Sequence, residues 1–132
     1  MDNREIQLIQ TFVVPAKRER YAAFLGSQKQ RAKFLRELHH FRDFVPGCLV
    51  EVKGRTDSSA GLLAELRRRG AQEECHIISA DSRLGGATRP LTKAISEIFG
   101  LVEGTLVCCI PGTLAYYEGE APKSRFILDH RP

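Results

Sequence analysis

Residues Glu74 to Phe99, ECHIISADSRLGGATRPLTKAISEIF, decide how the rest of this chain is read. Cys75 to Ala80 carries apolar or small side chains at nearly every position, which suits a strand covered on both faces of a parallel or mixed sheet. From Arg89 to Phe99 the period changes. Leu91, Ala94, Ile95, Ile98 and Phe99 recur at the three-and-four spacing that gathers them on one side of a helix. Thr88 has the hydroxyl to cap that helix, Pro90 is tolerated in a first turn whose N–H groups lack intrahelical partners, and Gly100 suits its close.

Between strand and helix lies Asp81-Ser82-Arg83-Leu84-Gly85-Gly86-Ala87. In an open α/β sheet, ligands bind outside the carboxyl ends of strands, and a helix N-terminus offers free N–H groups to an anion. Arg83 and Arg89 would add fork-shaped donors suited to phosphate or carboxylate. Asp81, Ser82, Arg83, Gly85, Gly86, Thr88 and Arg89 are therefore the candidate anion- or ligand-binding residues. Asp81 would repel an anion unless it orients one of the arginines. The same residues also serve a plain solvent-exposed connection with turn glycines, and neither a P-loop ending nor the dinucleotide-binding glycine pattern is present.

The chain has 132 residues, 42% hydrophobic and 27% charged, values of an ordinary globular domain, and it is read as one domain over 1–132. No run approaches the roughly 20 apolar residues that cross a bilayer. The N-terminus lacks a positive region followed by an apolar run, so a cytoplasmic protein without membrane contact is expected. Cys48, Cys75, Cys108 and Cys109 form no ligand spacing with one another or with His39, His40, His76 and His130, so no metal and no cofactor is expected. Cys108 and Cys109 are neighbours on a predicted strand and face opposite ways.

Net charge is +4, unevenly spread. Residues 1–42 hold nine Lys/Arg against four Asp/Glu, a balance of +5, and residues 43–132 hold eleven against twelve, a balance of −1. The basic third, 1–42, reads as three helical pieces: Asn3 to Val13 with Ile6, Ile9 and Val13 as its stripe and Leu8 and Phe12 flanking it; Pro15 to Leu25 with Tyr21, Phe24 and Leu25 inward; and Gln28 to Phe41 after a Ser27 cap. On the outer side of the third helix stand Lys29, Lys33, Arg36 and His40, a coherent stripe that serves either as a solvated face or as a candidate nucleic-acid contact.

The remainder, 48–132, reads β-α-β-α-β-β-β: Cys48 to Lys53, a helix from Ser58 or Ser59 to Arg69, the central strand and helix, then Thr105 to Ile110, Thr113 to Glu118 and Ser124 to Asp129. Pro111-Gly112 fits the centre of a type II turn. The expected fold is α/β, with α+β as the alternative. Two right-handed crossovers give three parallel strands in a mixed five-stranded sheet, with crossover helices on one face and the N-terminal helices on the other.

No nucleophile–base pair, metal-binding helix motif or paired-carboxylate pattern appears, and His76 reads as a hydrogen-bonded core residue. The functional expectation is a non-catalytic module that binds a protein or a small anion. The alternatives are non-specific nucleic-acid binding through the basic helices and a small enzyme acting on an anionic substrate at residues 79–89. Oligomeric state is not written in this pattern.

Overall fold

Asp2 begins the first helix, α1 (Asn3–Phe12), by accepting the Arg4 N–H on its carboxylate at 2.8 Å. The computed structural model describes residues 2–81, 83–84, 87–121 and 124–131. The buried stripe of α1 is Glu5, Leu8, Ile9 and Phe12, one position round the helix from the expected Ile6, Ile9 and Val13. Val13 instead leaves the helix and pairs with Phe44 in an isolated bridge. Pro15 opens α2 (Pro15–Leu25), as the proline rule requires.

The third helix is shorter than its pattern suggested. Residues 28–30 form a turn, and α3 (Arg31–Glu37) passes into a tight 3₁₀ turn, Leu38–His40. The reason for the tightening lies in the sheet. The buried Tyr117 hydroxyl donates to the Leu38 carbonyl at 2.5 Å and accepts the Phe41 N–H at 3.1 Å, so those groups are satisfied from outside the helix.

The sheet has six strands: β1 (Leu49–Glu51), β2 (Glu74–Ser79), β3 (Ala87–Pro90), β4 (Thr105–Ile110), β5 (Leu114–Glu118) and β6 (Arg125–Asp129). Their order is β1-β6-β5-β4-β2-β3, and every neighbouring pair is antiparallel. The expectation of five strands with parallel neighbours is thereby corrected. Two features account for the correction, strand β3 and a strand order that separates β1 from β2. Ala87–Pro90 folds back on β2, with His76 opposite Thr88 and Cys75 opposite Arg89. The chain therefore reverses once more before α5 (Leu91–Ile98), and β4 arrives antiparallel to β2. Thr88 lies in this strand and caps nothing; the residue before the helix is Pro90, which makes no side-chain cap. At the other crossover, α4 (Ser59–Arg68) joins β1 and β2 in the same direction, but three strands lie between them.

The two-faced sheet stands as expected. Ile78, Leu106, Cys108, Ala115, Tyr117 and Leu128 pack against α1, α2 and α3. Ile77, Val107, Cys109, Leu114, Tyr116 and Ile127 pack against α4 and α5. The result mixes α and β elements in three layers, helices on both faces of the sheet. Burial of both strand faces, read from the unbroken apolar runs, locates the core in two slabs. Pro111-Gly112 turns β4 into β5 with Gly112 at φ +69° and the Thr113 N–H on the Ile110 carbonyl at 3.0 Å, the type II arrangement.

Candidate functional site

Ser79 closes β2 while Thr88 and Arg89 lie in β3, paired back onto His76 and Cys75, so the described residues of 79–89 belong to two antiparallel strands and the turn Asp81 begins, not to the first turn of a helix. Ser79 Oγ lies 2.8 Å from Thr105 Oγ1 and accepts the Asp81 N–H at 3.0 Å, which fixes where Asp81 leaves the strand. The Asp81 carboxylate accepts three bonds from Arg83: its backbone N–H at 2.9 Å, Nε at 3.0 Å and Nη2 at 2.7 Å. The Arg83 guanidinium holds the Asp81 carboxyl down at about 2. Arg89 is engaged as well, donating from Nη1 to Glu97 at 2.9 Å and from Nη2 to the Arg83 carbonyl at 2.8 Å.

Asp81, Arg83, Leu84, Arg89, Glu97 and Leu101 line an open depression of about 400 Å³. It contains two arginines and the two carboxylates that neutralise them. Thr88 is on the other face of β3, where its Oγ1 accepts from Arg4 Nη1 at 3.1 Å. The structure thus brings Asp81, Arg83 and Arg89 together and separates Thr88 from them. The expected Ser82, Gly85 and Gly86 lie outside the described residues.

The second candidate surface is on the helical layer. Lys29 sits in the turn before α3, Lys33 and Arg36 on α3, and His40 on the following 3₁₀ turn; all four are exposed. Arg20 of α2, which the sequence reading passed over, joins them through the ring of Phe24. Arg20 and Lys33 both lie over the Phe24 ring, at 5.4 and 5.7 Å from its centroid. Arg20 and Phe24 are four apart in α2, so their shared face was readable; their meeting with Lys33 across two helices was not.

Among the described residues, Lys17, Arg18, Arg20, Lys29, Lys33, Arg36 and Arg42 make no ion pair. In the rest of the chain most cations do. Arg69 meets Glu65 at 2.7 Å and Asp129 at 2.8 Å, Arg125 meets Asp57 at 3.1 Å, and Arg68 chelates Glu65.

Beneath this layer lies a buried ionic group. Glu5, 4% exposed at its side chain, receives Arg31 Nη1 and Nη2 at 2.7 and 2.8 Å and His76 Nε2 at 2.8 Å. Burial pushes the Glu5 carboxyl up, but the bonds from Arg31 and His76 outweigh it and leave it below the usual range. His76 is the hydrogen-bonded core residue expected, with Nε2–H donating to the carboxylate and Nδ1 buried without a partner among the described residues. Glu5 was not foreseen, because a carboxylate in the first turn of a helix reads as a dipole partner.

Burial raises the thiols of Cys75 to about 11 and Cys108 to about 12, away from reactive thiolate. Among the described residues no group of three or more His, Cys, Asp or Glu is placed to hold a metal ion, and no helix is long and apolar enough to cross a membrane. The chain matches no family model, no curated protein and no solved structure, so its functional reading rests on these side chains.

Proposed function

We propose that this protein is a non-catalytic binding module that takes a polyanion on the exposed cationic face of α2 and α3. The observation that carries the reading is the absence of ion pairs at Lys29, Lys33, Arg36, Arg20 and Arg42 among the described residues, all of them exposed, with Arg20 and Lys33 meeting over the Phe24 ring. A paired cation must lose its carboxylate before it binds another anion. An unpaired, solvated one releases only counterions, and that release favours binding. The hairpin tip at 79–89, with Asp81 on Arg83 and Glu97 on Arg89, offers less to a small anion. His76 turned to Glu5, not to a nucleophile or a cavity, supports a role without catalysis.

Retention on immobilised heparin tests the proposal. Wild type should elute at higher salt than the Lys29→Gln/Lys33→Gln/Arg36→Gln variant, while Arg83→Ala/Arg89→Ala elutes with wild type. Coelution of wild type and the triple variant would refute it.

A further inference from the structure

Two hollows flank the cationic ridge, and His39 lines both. One, of about 230 Å³, lies between α3 and the end of β2, lined by Ala32, Leu35, Arg36, His39 and Ala80. The other, of about 300 Å³, lies between the 3₁₀ turn and the β5–β6 connection, where His40 and Arg42 face Ser124, Glu120 and Phe126. The ridge is held rigidly between them. The Gly104 N–H donates to His39 Nδ1 at 3.2 Å, and the Glu120 N–H donates to the His39 carbonyl at 2.7 Å. A Cβ on residue 104 would stand 2.4 Å from the Leu38 carbonyl carbon, so glycine permits this close approach. With Nδ1 accepting, the neutral ring carries its proton on Nε2 and has a donor left over.

The larger hollow differs from a plain charged surface in its aromatic wall. Phe126 is partly exposed and belongs to the sheet face that carries Tyr117, directly opposite it in register. The Tyr117 hydroxyl is consumed by Leu38 and Phe41, so Phe126 is the ring left open to a ligand. The hollow holds charge of both signs. Arg42 and His40 line it, and so does Glu120. His39 also lines the smaller hollow together with Arg36, which links the cations of α3 to this one. A phosphate chain would be held by Arg42 and turned away from Glu120. The group attached to it would then reach the aromatic wall.

We infer, resting on the polyanion reading above, that the polyanion is a single-stranded nucleic acid whose backbone follows Lys29, Lys33, Arg36 and Arg42 and whose base stacks on Phe126. A cation row beside an accessible ring is the combination that single strands use, since every base offers a π-face and the backbone is read by charge alone. A duplex keeps its bases stacked inside and has no face to give Phe126. An acidic protein segment satisfies the cations and gains nothing specific from the ring.

The chain has no tryptophan, so Phe126→Trp places a single reporter in the hollow. Its emission should be quenched by a ten-residue oligothymidylate and left unchanged by inorganic polyphosphate, by duplex DNA or by polyglutamate. Phe126→Leu keeps an apolar side chain against the core and should lose about 5–150-fold in affinity for the oligothymidylate, the worth of one stacked base. Its affinity for polyphosphate should stay that of wild type. If oligothymidylate and polyphosphate both bind with no quenching and no effect of Phe126→Leu, the base site is wrong and the polyanion reading stands. Quenching by polyglutamate equal to that by oligothymidylate would overturn the inference in favour of an acidic protein partner. If none of the four probes binds, the polyanion reading falls and the inference with it.

Discussion

The hairpin at 79–89 carries two arginines and the outer face of α2–α3 carries arginines and lysines, yet the two differ in what those cations already hold. Arg83 and Arg89 spend their guanidinium groups on Asp81, Glu97 and a backbone carbonyl. Lys29, Lys33 and Arg36 meet no carboxylate among the described residues. A basic residue at a favourable place in a fold is a candidate for anion binding only to the extent that its own chain leaves it free. Arg31, inside the basic third, makes the same point from the other side: it is a structural cation, chelating buried Glu5. The comparison therefore separates cations that hold the fold from cations that face outward, and each class should respond differently to substitution.

The largest effect is expected at the buried pair. Arg31→Met leaves Glu5 buried against His76 with no permanent cation, which should destabilise the fold by about 3–5 kcal/mol in urea melts. A change below 1 kcal/mol would place Arg31 with the free cations. Ile78→Ala and Ile77→Ala follow, each about 2–5 kcal/mol, because each empties a fully buried site on its own face of the sheet. A silent change at either one would mean that its face is not covered. Arg89→Ala removes a partly exposed pair with Glu97 and should cost only about 0.2–1 kcal/mol. Lys33→Gln and Arg36→Gln should stay within about 0.5 kcal/mol of wild type, since neither holds a carboxylate and Lys33 gives up only an exposed contact over the Phe24 ring.

Acid titration sharpens the same division. Asp2 and Glu65 are held at about 2 by their arginine partners, below the range they adopt in an unfolded chain. Their folded carboxyls bind protons later than the unfolded ones, so the stability they add is present above the ordinary carboxylate range near 4. It is lost as pH falls from there toward about 2. Thermal melts in low salt should show Tm dropping over that window in wild type and in Lys33→Gln alike. A smaller acid loss in Lys33→Gln would mean that Lys33 has a carboxylate partner.

Much of this was legible in the residues. Unbroken apolar runs at Cys75–Ala80 and Thr105–Ile110 require cover on both sides, and three N-terminal helices were the material for the second layer. Strand β3 was not legible. Ala-Thr-Arg-Pro is four residues long, polar and without a period of two, and it directly precedes a strongly amphipathic helix. Missing it turned an antiparallel sheet into a mixed one, since each unread reversal flips the direction of the next strand. Of the Lys29–His40 stripe, helical spacing holds only for Lys33 and Arg36, since Lys29 falls in the turn before α3 and His40 in the 3₁₀ turn after it. The quenching of the loop was half readable. Asp81 and Arg83 are two residues apart, but Arg89 finds Glu97 only through the turn from β3 into α5. Glu5 and His76 are 71 residues apart, and no local pattern announces them.

The central claim is that outward-facing cations of α2–α3, and not the paired arginines of the hairpin tip, bind anions. It is tested by the salt dependence of oligothymidylate binding in wild type, Lys29→Gln/Lys33→Gln/Arg36→Gln and Arg83→Ala/Arg89→Ala, followed by fluorescence anisotropy from low to physiological salt. Each lost phosphate contact to a single strand removes about 0.7 from the slope of log K against log salt. The triple variant should therefore lose about 2 in slope, and the hairpin variant should match wild type. An unchanged slope in the triple variant, or an equal loss in the hairpin variant, would contradict the account.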